Sequence, residues 1–200
     1  MEKFELYLDD DYLILIGRIT VNFATLEQIV SFFIWNLIEF NEACKSILTD
    51  ATTISSSQER PWIEYLMSTR SGLEKAPGKR LGQIITAELS FRQKIDLLSS
   101  IYRDKRDNSS ELAELDRVLK RAVQAEQKRN TVVHSVWTAY AVNETPGRIK
   151  TIAKRRSKGL KLEIESISVK DLEDVANYIA NVAYDIQTLV IRFYNPNFND

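Results

Sequence analysis

Apolar residues recur at three- and four-residue steps along most of the chain, the spacing that gathers them on one face of an α-helix. The first run, Tyr12 to Phe40, places Leu13, Ile16, Ile19, Phe23, Leu26, Val30, Phe33 and Leu37 in one stripe. Leu15, Val21, Ile29, Phe32, Ile34 and Trp35 widen that stripe nearly all round. A helix of this kind is expected at the centre of a bundle or in a subunit interface. The pattern returns from Leu89 to Arg103, through Phe91, Ile95, Leu98 and Tyr102, and from Ser109 to Val133, through Leu112, Leu115, Leu119 and Ala122. The cleanest run is Val169 to Phe193, with Leu172, Ala176, Ile179, Ala183, Ile186 and Val190. Ser168, followed three residues later by Asp171, supplies a cap for its first turn.

Two segments break the helical rhythm. Residues 49–85 open rich in Ser and Thr and later hold Gly72, Pro77, Gly78 and Gly82. They are expected to leave the bundle as an irregular excursion, with short helices after Pro61 and near Leu81 to Ile85. Further on, Leu160, Leu162 and Ile164 alternate with Lys161, Glu163 and Glu165, the period of a strand. Arg148 to Lys154 is its expected hairpin partner, across a turn at Arg156-Ser157-Lys158-Gly159. The pattern therefore predicts one domain over 1–200. It is all-α, a helical bundle, with a small β-hairpin or sheet insertion around residues 136–167.

Composition narrows the chemistry. With 27 Lys and Arg against 28 Asp and Glu the chain is nearly neutral, and it holds one cysteine and one histidine. One cysteine forms no internal disulfide. Structural zinc needs four ligands, mostly Cys and His, so His134 and the distant Cys44 do not supply a site, and no metal is expected. The stretch GLEKAPGKR at Gly72 to Arg80 departs from a phosphate loop: five residues separate the glycines, and Arg follows the Lys. No G-x-G-x-x-G or G-x-S-x-G is present, and no cofactor is expected. The N-terminus, MEKFELYLDDD, is acidic where a secretory signal is basic, and charges interrupt Tyr12 to Phe40 before the roughly 18–20 residues of a membrane span. A cytoplasmic protein is expected.

One cluster of charge stands out against the neutral background. Arg148, Lys150, Lys154, Arg155, Arg156, Lys158 and Lys161 fall within fourteen residues that contain no acid. Such a run is either a solvated hairpin edge kept charged against aggregation or a surface that contacts phosphates.

The residues with the most chemical content are Lys128-Arg129-Asn130-Thr131-Val132-Val133-His134-Ser135-Val136-Trp137, at the end of the third long helical run and into the first strand. Asn130 and His134 are four apart and share a helical face. Arg129 and His134 are five apart and point about 140° away from each other on an ideal helix. For the two to meet, the helix must loosen before His134, the long Arg side chain must wrap, or each must meet its counterpart across a two-fold axis.

Arg, a polar residue, three more residues and then His, as in Arg129-Asn130-Thr131-Val132-Val133-His134, resembles the signature of the HEPN superfamily. Its members are small helical bundles, many of them metal-independent RNA-cleaving toxins or phage-defence effectors. The resemblance implies a HEPN-like fold and a homodimer with an active site built from two copies of the motif. It implies RNA as substrate, His134 as general acid or base, and Arg129 stabilising the phosphorane-like transition state. Asn130 would orient the imidazole or the scissile phosphate, and the products would be a 2′,3′-cyclic phosphate and a 5′-hydroxyl. Periodicity places Arg18 and Asn22, with Glu27 further along, as auxiliary polar groups facing the motif, and the cations from Arg148 to Lys158 would hold RNA. A cognate antitoxin is also implied, such as a nucleotidyltransferase. Some HEPN toxins carry a Tyr for AMP addition two residues after the His; here Val136 stands there, with Tyr140 nearby. Two alternatives remain open: a catalytically silent HEPN-like dimerisation or adaptor module, and an RNA-binding protein without catalysis.

Overall fold

A computed structural model describes residues 8–38, 79–138, 146–153 and 160–194; for 79, 80, 138, 150–153 and 160–164 it describes the backbone alone. The described residues form five helices and three strands: α1 (Asp10–Ile38), α2 (Lys79–Ala87), α3 (Phe91–Lys105), α4 (Ser109–Val133), β1 (Val136–Thr138), β2 (Gly147–Ala153), β3 (Leu160–Ser166) and α5 (Val169–Tyr194). The protein is thus mostly helical with a small antiparallel sheet, in the order β1-β2-β3. The expected short helix after Pro61, the turn at residues 156–159 and the first part of the 49–85 excursion lie outside the described residues.

The described residues fall into two compact units, one within 1–25 and 124–182 and the other within 26–123 and 183–200. α1, α4 and α5 each contribute a segment to both. In the second unit, Leu26, Ile29, Val30, Phe33, Ile34 and Leu37 of α1 are buried together with Leu98 and Tyr102 of α3, Leu115 and Val118 of α4, and Ile186 and Val190 of α5. Phe33, Tyr102 and Phe193 meet edge-on or tilted, with ring centroids 5.1–6.0 Å apart. Such pairing adds to the area these rings bury. Two polar contacts complete this core: Lys94 Nζ reaches Glu27 Oε1 at 2.7 Å, and Trp35 Nε1 donates to Thr86 Oγ1. Glu27 is therefore engaged by α3 and takes no part in the motif.

Capping explains where the helices begin. Ser90 and Gln93 form a reciprocal capping box at the start of α3, satisfying backbone donors that the helix cannot. Ser168 and Asp171 do the same for α5, with Asp171 N donating to Ser168 Oγ at 3.1 Å and Ser168 N to Asp171 Oδ2 at 2.9 Å. The Ser168 hydroxyl, which donates to Asp171 Oδ2 at 2.6 Å, and after it Ser168 N hold the Asp171 carboxyl below its ordinary range. At the far end of α5, Arg106 Nη2 donates to Phe193 O at 2.6 Å, so a cation from another segment meets that helix's negative end.

The first unit carries the sheet. In it, Tyr12, Leu15, Ile19 and Phe23 of α1 are buried with Ala125 and Val132 of α4 and Leu172, Ala176 and Ile179 of α5. β2 and β3 pair from Gly147↔Ser166 to Ala153↔Leu160, and β1 pairs with β2 from Val136↔Ile149 to Thr138↔Gly147. By length and composition α1 also suffices to cross a membrane, with mean hydropathy 1.4 in its most apolar window. Its inward residues line both cores, and its polar residues Arg18, Asn22 and Glu27 bind protein groups.

Candidate active site

α4 ends one residue before the histidine. Its last helical residue is Val133, and His134 lies on the turn that leads to β1. His134 N still bonds Asn130 O at 3.1 Å, but Ser135 N turns back to Val132 O at 3.4 Å, a tightened final turn. The helical bonding thus runs through His134 N and changes at Ser135. Arg129 Nη1 lies 3.3 Å from His134 Nε2, across the five-residue separation that a continuous helix would keep apart. The two residues meet within one chain.

The chemistry of the contact assigns the tautomer. A guanidinium nitrogen only donates, so Nε2 accepts and the ring proton sits on Nδ1. The same Nη1 donates to Asn130 Oδ1 at 2.9 Å. Asn130 therefore orients Arg129, where the sequence reading has it orient the imidazole or the phosphate. Arg129 is half-buried, its guanidinium 5.3 Å from the centre of the Phe23 ring, while His134 is exposed. Arg129 Nε is buried and has no hydrogen-bond acceptor among the described residues. A buried cationic donor without an acceptor is rare and calls for an explanation; an anionic ligand supplies one.

The turn that holds His134 is built from both sides. Before it, Thr131 O accepts from Ser135 Oγ and from Arg148 Nη1, the latter at 3.1 Å. Val132 O accepts from Trp137 Nε1 at 3.1 Å. After it, Trp137 enters β1 opposite Arg148 of β2. The Trp137 ring meets Tyr12 edge-on at 6.4 Å, and the Tyr12 hydroxyl donates to Ile167 O at 2.9 Å. Burial first, and Asp9 and Asp171 after it, push that hydroxyl above its ordinary pKa, so it remains a donor.

The remaining expected site residues divide. Arg148 is a correction: it is not a free cation for RNA. It is 8% exposed, with Nε and Nη2 on Glu165 Oε2 and Nη1 on Thr131 O. The basic run from Arg148 to Lys161 thus has an acid from further along β3 set against its first cation. Lys150 occupies β2 opposite Glu163; Lys154, Arg155, Arg156 and Lys158 lie outside the described residues, as does Tyr140. Arg18 and Asn22 bind α5 and not the motif: Arg18 Nη2 donates to Asn177 Oδ1 and Asn22 Nδ2 to Ala176 O, both at 2.9 Å. Val136, two residues after the histidine, is exposed. No group of three or more His, Cys, Asp or Glu able to hold a metal occurs among the described residues.

Sequence reading included Trp137 in the stretch around the motif without a role for it, and missed the role of Arg148. One signal was available: the last turn of α4 has no basic residue, so its carbonyls need donors from elsewhere. No family model, curated protein or solved structure matches this chain.

Proposed function

We propose that this protein is a cytoplasmic, metal-independent endoribonuclease of the HEPN type, homodimeric, acting in a toxin or defence setting. The observation that carries the reading is the Arg129–His134 contact at 3.3 Å, joined by Asn130 on a turn where the imidazole is exposed. The motif residues form one constellation, as RNA cleavage by 2′-hydroxyl attack requires.

The steps follow from the residue types. Arg129 presents a fork of donors suited to phosphate oxygens, and its unsatisfied Nε adds a direction for an acceptor. A phosphate that draws the guanidinium toward itself releases the Nε2 lone pair. His134 Nε2 then takes the proton of the 2′-hydroxyl as its oxygen attacks phosphorus, and Arg129 offsets the charge that develops on the phosphoryl oxygens. The leaving 5′-oxygen needs a proton. With one histidine per chain, that proton comes from the imidazole of a second copy. The products are a 2′,3′-cyclic phosphate and a 5′-hydroxyl.

A second reading, a catalytically silent dimerisation module, draws support from α1. Leu13, Ile14 and Val21 are exposed there, Ile14 by 66% and Val21 by 64%, an apolar face that a second copy would cover.

Incubating the purified protein with total RNA in excess chelator, beside His134→Ala and Arg129→Ala, tests the proposal. Cleavage is expected from the wild type alone, leaving cyclic phosphate ends. Cleavage that persists in both variants, or that stops on chelation, sinks the mechanism. Salt-sensitive binding without cleavage, indifferent to His134, marks a non-catalytic RNA-binding protein.

A further inference from the structure

We infer that Arg148, on a different element from the motif, is the positioning residue that sets the His134 turn; as a catalytic role this rests on the proposed ribonuclease reading. The argument begins with the end of α4. A helix leaves its final carbonyls unpaired and carries partial negative charge there, and this helix has no last-turn cation of its own. Arg148 supplies both a donor and the positive charge, through Nη1 on Thr131 O at 3.1 Å. Thr131 lies between Arg129 and His134, so the bond acts on the backbone that joins the two reactive side chains.

The same residue also fixes the chain beyond the histidine. Arg148 pairs with Trp137 across β1 and β2, and Trp137 Nε1 returns to Val132 O. The segment from Thr131 to Trp137 is therefore closed into a short loop, with His134 in its middle and Arg148 at both ends. Glu165, opposite Arg148 in β3, takes Nε and Nη2 and aims the remaining nitrogen at the helix. A planar guanidinium holds the carboxylate with two nitrogens and the helix carbonyl with the third; an ammonium does not. Arg148 is also almost fully buried, which removes it from contact with a polymeric substrate.

The single histidine makes the test direct, because one imidazole contributes all the histidine resonances. The full-length protein is prepared as wild type, Arg148→Ala, Arg148→Lys and Glu165→Gln, and the imidazole nitrogen shifts are measured together with kcat and KM for RNA. Arg148→Ala is expected to lower kcat at least tenfold, leave KM within twofold, and move the imidazole nitrogens from a locked tautomer toward an averaged pair. Arg148→Lys recovers part of both effects, since an ammonium still reaches one of the two acceptors. Glu165→Gln stays within twofold of wild type, because the amide oxygen still accepts from Arg148. The inference is overturned if the imidazole shifts do not move, or if Arg148→Ala raises KM with kcat unchanged, as loss of an RNA contact would. Should Arg148→Ala fail to fold, Arg148→Lys carries the same comparison. A wild type that cleaves no RNA refutes the ribonuclease reading, while the imidazole shifts still decide whether Arg148 sets the turn.

Discussion

Arg129→Lys keeps the charge and removes the geometry, which separates what Arg129 contributes to the fold from what it contributes to chemistry. In the folded protein Arg129 lies over Phe23 at 5.3 Å and donates to Asn130 at 2.9 Å and to His134 at 3.3 Å. A part-exposed cation–π contact is worth about 0.5–1 kcal/mol, and a lysine ammonium retains part of it. The donors to two neighbouring side chains add about 1 kcal/mol of net stability. The whole loss is then at most about 2 kcal/mol against a typical 5–15 kcal/mol, so the variant stays folded. Catalysis responds on another scale. Removing one preorganised donor to a developing oxyanion costs about 10²–10³ in kcat, or roughly 2.7–4 kcal/mol of barrier. Cleavage of a fluorogenic RNA in chelator gives kcat and KM, and urea unfolding of the same preparation gives stability. A drop in kcat of at least a hundredfold is expected, with the urea midpoint displaced only slightly. Activity within threefold of wild type refutes the assignment of Arg129 to the transition state. Activity lost in step with unfolding refutes it equally, since Arg129 would then be structural.

The two described glycines of the helices should respond oppositely to alanine. At Gly82 an added Cβ lies 2.9 Å from Trp35 Cδ1 and 3.0 Å from its Cα, so overpacking of about 1–3 kcal/mol outweighs the helix-propensity gain of about 1 kcal/mol. At Gly17 nothing lies within 4 Å, and alanine should raise the urea midpoint by the equivalent of about 0.5–1 kcal/mol; the same sign at both sites would refute the packing of α2 on α1. Ser90→Ala removes the capping box of α3 and should cost about 1 kcal/mol, seen in thermal unfolding and absent if that helix frays at its start. Burial, and then the charge of Glu111, push the Tyr102 hydroxyl from 10.0 up to about 12. Because the folded value is the higher one, the neutral phenol's contribution is complete below pH 10.0 and is lost as pH rises through about 12. Stability measured from pH 8 to 12 should fall over this window in wild type and less in Tyr102→Phe; identical curves would contradict the buried, hydrogen-bonded phenol.

How much of this could be read from the chain alone differs from element to element. α4 runs from Ser109 to Val133 as its apolar spacing predicts, and Ser168 with Asp171 caps α5 as expected. Those signals are local: a helical stripe and a capping pair both act within a few residues. The pairing of β2 with β3 was legible for the same reason, from a period of two over Leu160 to Glu165 and a nearby partner at Arg148 to Lys154. Arg129, Asn130 and His134 were identifiable as a set, but whether they meet was not. An ideal helix points Arg129 and His134 about 140° apart, and it is the folded structure that sets Nη1 3.3 Å from Nε2.

Residue types alone therefore determined a mostly helical protein with a small sheet, without the cysteines and histidines for structural zinc, and with a candidate site on a single histidine. Tertiary structure decided which cations are surface and which are internal. Arg148 belongs by sequence to a basic run, yet the register of β2 sets it opposite Glu165 and Trp137 and within reach of Thr131 O. Arg18 and Asn22 share a helix face with no partner visible in sequence, and α5 supplies one from more than 150 positions away. The physical reason is common to these cases. Periodicity reports which side of an element is buried, whereas the partner of a charged or polar group depends on how distant segments are brought together. The end of a helix is where the two meet, because its unpaired carbonyls must find donors that the helix itself does not contain.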